Sequence, residues 1–230
     1  MKLPLSGRLL ACADFVTSGA RVADVGCDHG YLSIHLLQSG LASSVIAADL
    51  REDPLQKAVK NAEKYGVSDK ISFYLSDGVQ NIPRDFDTLI CAGMGAVTIE
   101  SILNAAPWLK NPRYRLILQC QSQRSALQKY LSDNGFAVLR ETLAMDGSFL
   151  YPVLEAAYAP VAPLHGAQYY VSPALLASGS PLLAPYIRRI LDGMAQTVEG
   201  LSQVGGEKYR EMKAIYDELE TILEKTEGAK

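Results

Sequence analysis

The sequence predicts an α/β protein with a mostly parallel sheet of seven strands that ends in an antiparallel hairpin, followed by an antiparallel helical hairpin. One observation behind this prediction is that short apolar runs, typical of strands, alternate with segments of helical apolar spacing. The other is a change near residue 160, where a proline-rich stretch leads into two amphipathic segments. We therefore expect two domains: residues 1–160 contain the sheet, and residues 161–230 contain a linker and the helical hairpin.

The elements of the first domain follow from apolar runs, prolines and glycines. Each predicted strand is rich in aliphatic or aromatic residues, and each predicted helix repeats apolar residues every three or four positions. Pro54 suits the first turn of its helix, and the short gap at 145–148 suits a hairpin. The predicted strands are 22–25, 44–49, 71–75, 86–91, 115–120, 136–143 and 149–157, and the predicted helices are 6–16, 31–38, 54–65, 97–106 and 125–133.

The second domain is predicted from its prolines and from two helical patterns. Five prolines between residues 158 and 185 indicate a linker with little regular structure. Residues 185–200 and 207–225 then carry apolar side chains at helical spacing, with Gly205-Gly206 between them. Two helices joined by so short a turn form an antiparallel hairpin.

Composition and charge exclude several classes of protein. A net charge of −3 counts against nucleic-acid binding through bulk charge alone. No apolar run has the length of a membrane span, and the N-terminal residues do not have the pattern of a signal peptide. The four scattered cysteines indicate reduced thiols rather than disulfides or a metal site. We expect a cytoplasmic protein without a metal.

The first glycine turn is the strongest candidate for a binding site. The strand that ends at Val25 leads through Gly26 and Gly30 into a helix that begins at Tyr31. Glycines let the backbone approach a ligand closely, and the helix directs unpaired N–H groups toward that ligand. Asp24 is an acid in an apolar strand and needs a partner if it is buried. The alternative is a strand–turn–helix connection that binds no ligand.

Acids at the ends of successive strands indicate which ligand binds at the carboxyl edge of the predicted sheet. Asp28 stands between the glycines, where it would repel a pyrophosphate, so a dinucleotide fits poorly. S-adenosylmethionine has no phosphate; Asp24 and Asp28 suit its cationic end, and Asp49 suits its ribose hydroxyls. Asp77-Gly78 suits the adenine amino group. Alternatively, Asp49 and Asp77 cap turns or helices.

Four motifs together resemble the bacterial tRNA (adenine-22-N1)-methyltransferase family. They are Asp24-Val25-Gly26-Cys27-Asp28-His29-Gly30-Tyr31-Leu32, Ala48-Asp49, Ser76-Asp77-Gly78 and Cys91-Ala92-Gly93-Met94-Gly95. Leu116-Ile117-Leu118-Gln119 is similar to that family's fifth strand, and the resemblance covers essentially the whole chain. The family usually has a further glycine where this chain has Ala96, which leaves details of the target pocket open.

The resemblance implies a Rossmann-like class I methyltransferase that moves a methyl group from S-adenosylmethionine to N1 of an adenine in tRNA. N1 carries a free lone pair, so alignment and electrostatics are expected to suffice without a general base. Tyr31 either stacks on the target base or belongs to the core, and His29 either contacts substrate or caps its turn. The candidate catalytic residues are Asp28, Tyr31, Gly93 and Met94. The candidate cofactor-binding residues are Asp24, Gly26, Asp28, His29, Asp49, Leu50, Asp77, Gly78, Ala92 and Gly93.

Basic residues on two surfaces are candidates for tRNA binding. Lys57, Lys60 and Lys64 share one helix face, and we expect Lys2, Arg8 and Arg51 near the same rim. Further cations lie on the helical hairpin, at Arg188-Arg189 and within 208–213. Residues 161–230 nevertheless contain seven Lys/Arg against nine Asp/Glu, so recognition of tRNA shape is favoured over bulk charge. The alternative is that these are ordinary solvated helix faces. The candidate RNA-binding residues are Arg8, Lys57, Lys60, Arg188 and Arg189.

Other chemistries and functions fit less well. Methylation at adenine N6 usually requires an Asn/Asp-Pro-Pro-aromatic turn, which is absent after the fourth strand. Cys91 and Cys120 lie in apolar strands and are poor candidates for nucleophiles. A methyltransferase of the same fold that acts on a small molecule or protein remains an alternative, as does a non-catalytic cofactor-binding module. The oligomeric state stays open, with a monomer favoured.

Overall fold

The computed structural model describes residues 3–228 and contains seven strands and eight α-helices within them. Lys2, predicted near the basic rim, lies outside the described residues. The strands are Ala20–Val25 (β1), Ala42–Asp49 (β2), Ile71–Leu75 (β3), Thr88–Met94 (β4), Arg115–Cys120 (β5), Phe136–Asp146 (β6) and Phe149–Tyr158 (β7). The helices are Gly7–Ala13 (α1), Tyr31–Gln38 (α2), Glu52–Lys64 (α3), Ala96–Asn104 (α4), Arg124–Asp133 (α5), Pro173–Ala177 (α6), Leu183–Val204 (α7) and Glu207–Gly228 (α8).

The strands form one sheet in the order β3-β2-β1-β4-β5-β7-β6. β1 to β5 are parallel, and β7 runs antiparallel to both β5 and β6. This arrangement confirms the predicted fold class. The strand order reverses between β1 and β4, and ligands in such sheets bind outside the carboxyl ends of the strands at that point.

Each face of the sheet has its own core because strand side chains alternate between faces. On β4, Leu89 and Cys91 pack against α4 and α5, whereas Ile90 between them packs on the face of α1 to α3. β5 repeats the pattern, with Ile117 on the second face. Burial on both faces explains why these strands read as continuous apolar runs rather than as alternating ones.

Two strands extend beyond their predicted ends. β4 continues to Met94, so Ala92-Gly93-Met94, predicted as a turn, is strand. A bulge makes this possible: the register with β5 shifts between Ala92 and Met94, and Gly93 takes a φ of +80°. β6 continues to Asp146, which leaves a two-residue turn, Gly147-Ser148, before β7.

The predicted linker is more structured than its prolines indicated. Residues Gly166–Tyr169 form a 3₁₀ turn, and α6 begins at Pro173. Ser172 caps α6 by accepting a hydrogen bond from the Leu175 N–H at 3.0 Å. Proline at the first helical position is compatible with a helix, so reading Pro173 only as a helix breaker was wrong.

The helical hairpin, α7 and α8, is confirmed, with its turn at Gly205-Gly206. Its core contains apolar residues of α7, Leu219 of α8, and Leu143 and Leu150 from the β6–β7 hairpin. The helices therefore pack directly on the antiparallel edge of the sheet. The division into two domains at residue 160 stays a prediction.

Gly30 is a point where the fold requires glycine. It caps α2 with a φ of +72°, and a Cβ there would lie 2.9 Å from the Ala58 Cβ and 3.3 Å from the Ala58 Cα of α3. We expect Gly30→Ala to lower the free energy of unfolding by about 3 kcal/mol, from left-handed strain and overpacking together. Urea denaturation measures this. Gly40→Ala is the control, because its φ is +73° but its Cβ would meet nothing. Equal losses in the two variants would show that crowding at Ala58 contributes nothing.

Candidate active site

A cavity of ≈ 410 Å³ opens at the carboxyl ends of the strands around the reversal in strand order. It contains all of the predicted cofactor-binding residues except Asp24 and His29. The residues that line it are Arg8, Val25, Gly26, Asp28, Asp49, Leu50, Arg51, Ser76, Asp77, Gly78, Ala92, Gly93, Met94, Thr98 and Ile102. The structure thus brings together residues from five separate parts of the sequence.

The turn after β1 presents backbone to this cavity. The N–H groups of Gly26 and Cys27 both donate to the Ala48 carbonyl oxygen, at 2.8 and 3.0 Å, and so join the ends of β1 and β2. Gly26 has a φ of +72°, and a Cβ there would lie 2.4 Å from the Met94 Cε. Glycine at this position therefore keeps the space between the turn and β4 open.

Asp49 fixes the two loops on either side of it. Its side chain is buried, and its carboxylate accepts hydrogen bonds from the Asp28 N–H at 3.1 Å and the Arg51 N–H at 2.9 Å. Asp28 has a left-handed φ of +49°, which is uncommon for a residue with a side chain. The hydrogen bond to Asp49 holds that conformation, and it leaves the Asp28 carboxylate largely exposed at the cavity.

Asp24 lies beneath the turn rather than on the cavity wall. It is only 3% exposed, and it accepts a 2.6 Å hydrogen bond from the Ser33 hydroxyl of α2. Burial raises the pKa of Asp24 to about 6 against the opposing effect of this hydrogen bond. The observed contact ties β1 to α2, and the predicted contact of Asp24 with a ligand stays a prediction.

His29 and Tyr31 lie to one side of the cavity. His29 lines an adjacent groove together with Lys57, and its carbonyl oxygen accepts a 2.9 Å hydrogen bond from the Asn61 side chain. Tyr31 is half-buried at the first residue of α2, with its ring centre 6.0 Å from that of His29. His29 therefore borders a groove beside the cavity, whereas Tyr31 lines neither the cavity nor this groove.

Gln119 is a site residue that was not predicted as one. It is fully buried in β5, and its Oε1 accepts hydrogen bonds from the Gly93 N–H and from Arg8 Nη1, each at 3.0 Å. The amide thus replaces the strand partner that Gly93 loses at the bulge. The signal was present in the sequence, since a polar residue in the apolar run 116–120 requires a buried partner.

Arg8 forms part of the cavity wall. Its guanidinium donates a hydrogen bond to Gln119 and pairs with Asp146 at 3.2 Å, so its charge is partly balanced within the fold. Its predicted role in RNA binding stays a prediction.

The other predicted RNA-binding residues fall into two groups. Lys57 and Lys60 are exposed on α3, and Lys57 lines the groove beside the cavity. Arg188 of α7 is paired with Glu227 of α8. Arg189 donates to the Ser148 carbonyl oxygen at 2.9 Å and lies 5.8 Å from the ring centre of Phe149.

The cysteines take no part in the site. All four are free and buried, and burial raises the pKa of Cys91 to about 12 and also raises the pKa of Cys120. Within residues 3–228, no cluster of three or more His, Cys, Asp or Glu side chains is arranged to hold a metal ion. No helix in this range combines the length and apolar character needed to cross a membrane.

Comparisons with known proteins agree with this geometry. The sequence model of the methyltransferase-domain family matches residues 5–154. The tRNA (adenine(22)-N(1))-methyltransferase of Bacillus subtilis strain 168 is 32% identical over 156 residues, which are 67% of this chain and 66% of that relative. The chain spans 60–66% of the length of the first curated relatives that it matches.

Several solved structures match over nearly the whole chain, and two of them are described here. The crystal structure of the m1A22 tRNA methyltransferase of Bacillus subtilis has a TM-score of 0.80 at 27% identity, covering 99% of each chain. A Streptococcus pneumoniae protein described as a tRNA (m1A22) methyltransferase, in complex with S-adenosyl-L-methionine, has a TM-score of 0.79 at 29% identity, covering 95% of this chain and 99% of that one. The chain therefore belongs to the methyltransferase-domain family, and the resemblance of its motifs to the tRNA (adenine-22-N1)-methyltransferases is confirmed.

Proposed function

We propose that this protein transfers a methyl group from S-adenosylmethionine to N1 of adenine 22 in tRNA. The observation that carries the proposal is a cavity at the reversal in strand order whose wall combines a bare glycine turn with three carboxylates. The likeness to m1A22 methyltransferases over nearly the full chain, including the helical hairpin, supports it. A tRNA substrate also implies a cytoplasmic enzyme.

The residues present in the cavity fit the cofactor. Its volume of ≈ 410 Å³ lies within the range of small-molecule pockets, about 300–1,000 Å³. Asp28 and Asp49 suit the ammonium and ribose hydroxyls of S-adenosylmethionine, and Asp77 suits its adenine amino group. Leu50 is 67% exposed on the cavity wall. An adenine ring that covers this apolar side chain removes its surface from water, which favours binding. When bound, S-adenosylmethionine supplies an electrophilic methyl group.

The protein's own contribution is alignment and electrostatic stabilisation. N1 of adenine is neutral and carries a free lone pair, so no side chain has to remove a proton before attack. N1 also lies on the pairing edge of the base, so the adenine must be unpaired or flipped out. We propose that Tyr31 stacks on that base, and that Asp28 and the carbonyls around Gly93 and Met94 stabilise the positive charge that develops on it.

Replacing Asp28 is expected to lower turnover about 30-fold while cofactor affinity changes less than about 3-fold, since the charge acts on the reacting base. Asp28→Ala removes the carboxylate but also strains the left-handed backbone. Asp28→Asn is the matched variant, because asparagine tolerates that conformation and differs only in charge. Steady-state kinetics on tRNA and calorimetry with S-adenosylmethionine separate the two effects. A larger loss of affinity than of turnover would show that Asp28 acts on the cofactor only and not on the reacting base.

The proposed function is tested by incubating the protein with unmodified tRNA and labelled S-adenosylmethionine and mapping the methylated nucleotide. We expect label at N1 of adenine 22, and none in a transcript with another base at that position. Label at a different nucleotide, or no transfer to any tRNA, would overturn the proposal. Calorimetry on the same sample would still report whether the cavity binds the cofactor.

A further inference from the structure

A second cavity lies where the sheet meets the C-terminal helices. It has a volume of ≈ 290 Å³ and opens between the first turn of α5 and the middle of α7. Arg124 and Ser125 line it from α5, while Tyr186, Arg189 and Met194 line it from α7. Arg124 has no predicted role, and Arg189 is predicted to bind RNA without a defined site.

Two guanidinium groups border this cavity without a carboxylate partner. Arg124 is half-buried over Tyr186, with its guanidinium carbon 5.7 Å from the ring centre. Arg189 has the Ser148 carbonyl oxygen as its hydrogen-bond acceptor. Neither arginine forms an ion pair with any carboxylate of residues 3–228. Arg124 is half-buried and Arg189 is exposed, and positive charge left without a carboxylate at the wall of a cavity favours an anionic ligand.

The remaining lining narrows the class of anion. Tyr170, Ile190 and Met194 give the cavity apolar and aromatic surface next to the two arginines. A phosphate attached to a sugar and a base presents charge and flat apolar surface together, and arginine and tyrosine are common partners for such groups. The first turn of α5 also lines the cavity. The N-terminal end of a helix carries a partial positive charge, which attracts a phosphate.

The second cavity is adjacent to the candidate active site along the chain. The Gln121 N–H donates to the Met94 carbonyl oxygen at 2.8 Å, and the Ala96 N–H donates to the Ser122 carbonyl oxygen at 3.2 Å. The loop 121–123 therefore lies against the end of β4. Arg124 follows Gln121 by three residues, a reach of at most about 11 Å. The two cavities are therefore close enough for one RNA strand to contact both.

We propose that this cavity binds a backbone phosphate of the RNA, from a nucleotide that flanks the methylated adenosine, between Arg124 and Arg189. The inference rests on the proposed function, since it takes tRNA as the substrate. The contact between α5 and α7 would then help to position the RNA strand. Bulk charge on the helical hairpin is not required.

The test measures tRNA binding as a function of salt concentration for Arg124→Ala and Arg189→Ala. Each variant is expected to bind about 10-fold more weakly at low salt and to reduce the slope of log K against log salt by about 0.7–0.9, the change for one phosphate contact. Arg84→Ala is the control, because it removes the same charge from an exposed arginine just before the start of β4, at the end of that strand opposite to the cavities. Arg124→Lys should retain the slope. Affinity for S-adenosylmethionine should be unchanged throughout.

The outcomes separate the two proposals. If the wild-type protein binds and methylates tRNA but both alanine variants keep its slope, the phosphate site is refuted and the proposed function stands. An equal loss of slope in Arg84→Ala would also refute the site, because it would reflect general charge. If the wild-type protein does not bind tRNA at any salt concentration, both proposals fall.

Discussion

Asp49→Ala is expected to weaken S-adenosylmethionine binding about 100-fold. The substitution leaves the Asp28 and Arg51 N–H groups without their acceptor, at a cost of about 1–3 kcal/mol for each buried group. Both groups lie in loops that line the cavity, so the loops lose the arrangement that the cofactor requires. A loss of about 3 kcal/mol corresponds to a factor of about 100 in affinity. Isothermal titration calorimetry measures it directly.

Asp77→Ala provides the comparison for Asp49→Ala. Asp77 lines the same cavity but is exposed, and its carboxylate accepts a long hydrogen bond of 3.3 Å from Gln80. Its removal should cost less than about 10-fold in affinity, because water replaces the lost contacts. Circular dichroism of both variants without cofactor verifies that each remains folded. Unchanged affinity in Asp49→Ala would show that the cofactor does not depend on this part of the cavity.

Glu141→Gln is expected to stabilise the protein by about 3 kcal/mol at pH 8. Glu141 is buried in β6, where it accepts hydrogen bonds from Gln128 of α5 and Ser172 before α6. Burial raises its pKa from 4.5 to about 7, so the folded state favours the protonated acid. Its contribution to stability is therefore fully present below pH 4.5 and is lost as the pH rises to about 7, at about 1.4 kcal/mol per unit. Glutamine at position 141 is uncharged, so the variant does not lose this stability as the pH rises.

A second observation favours glutamine at this position. Gln128 Oε1 is buried without a hydrogen-bond partner in the described structure, and an amide at 141 adds N–H donors beside it. Urea denaturation of the two proteins from pH 5 to pH 8 should give curves that diverge as the pH rises. Glu155→Gln is the control, since Glu155 is equally buried on β7 but is paired with Arg140 at 2.6 Å and should lose stability. Parallel pH curves for wild type and Glu141→Gln would show that folding does not raise the pKa of Glu141.

Much of the fold was predictable because its signals are local. The strands 71–75 and 115–120 and the helix 31–38 have the bounds expected from apolar runs and flanking glycines. The start of α6 was not predictable in the same way, because proline is compatible with both a breaker and a first helical residue.

The candidate site was predictable in its composition but not in its contacts. Acids and glycines at strand ends indicate a ligand-binding site at that edge of the sheet, because parallel strands bring their carboxyl ends together. The sequence does not show that the Ser33 hydroxyl donates a hydrogen bond to Asp24. Nor does it show that Gln119 accepts hydrogen bonds from both Gly93 and Arg8, the latter 111 residues away. Those contacts depend on which strands are neighbours and on where a bulge shifts their register.

The two-residue turn between β6 and β7 is held by an arginine on each side. Arg8, in the wall of the first cavity, pairs with Asp146, while Arg189, in the second cavity, binds the Ser148 carbonyl oxygen. A displacement of this turn would disturb both arginines. Any cooperativity that it transmits must be reciprocal: if cofactor improves RNA affinity by some factor, RNA improves cofactor affinity by the same factor. The order in which the two ligands associate then affects the rate of assembly but not the free energy of the ternary complex.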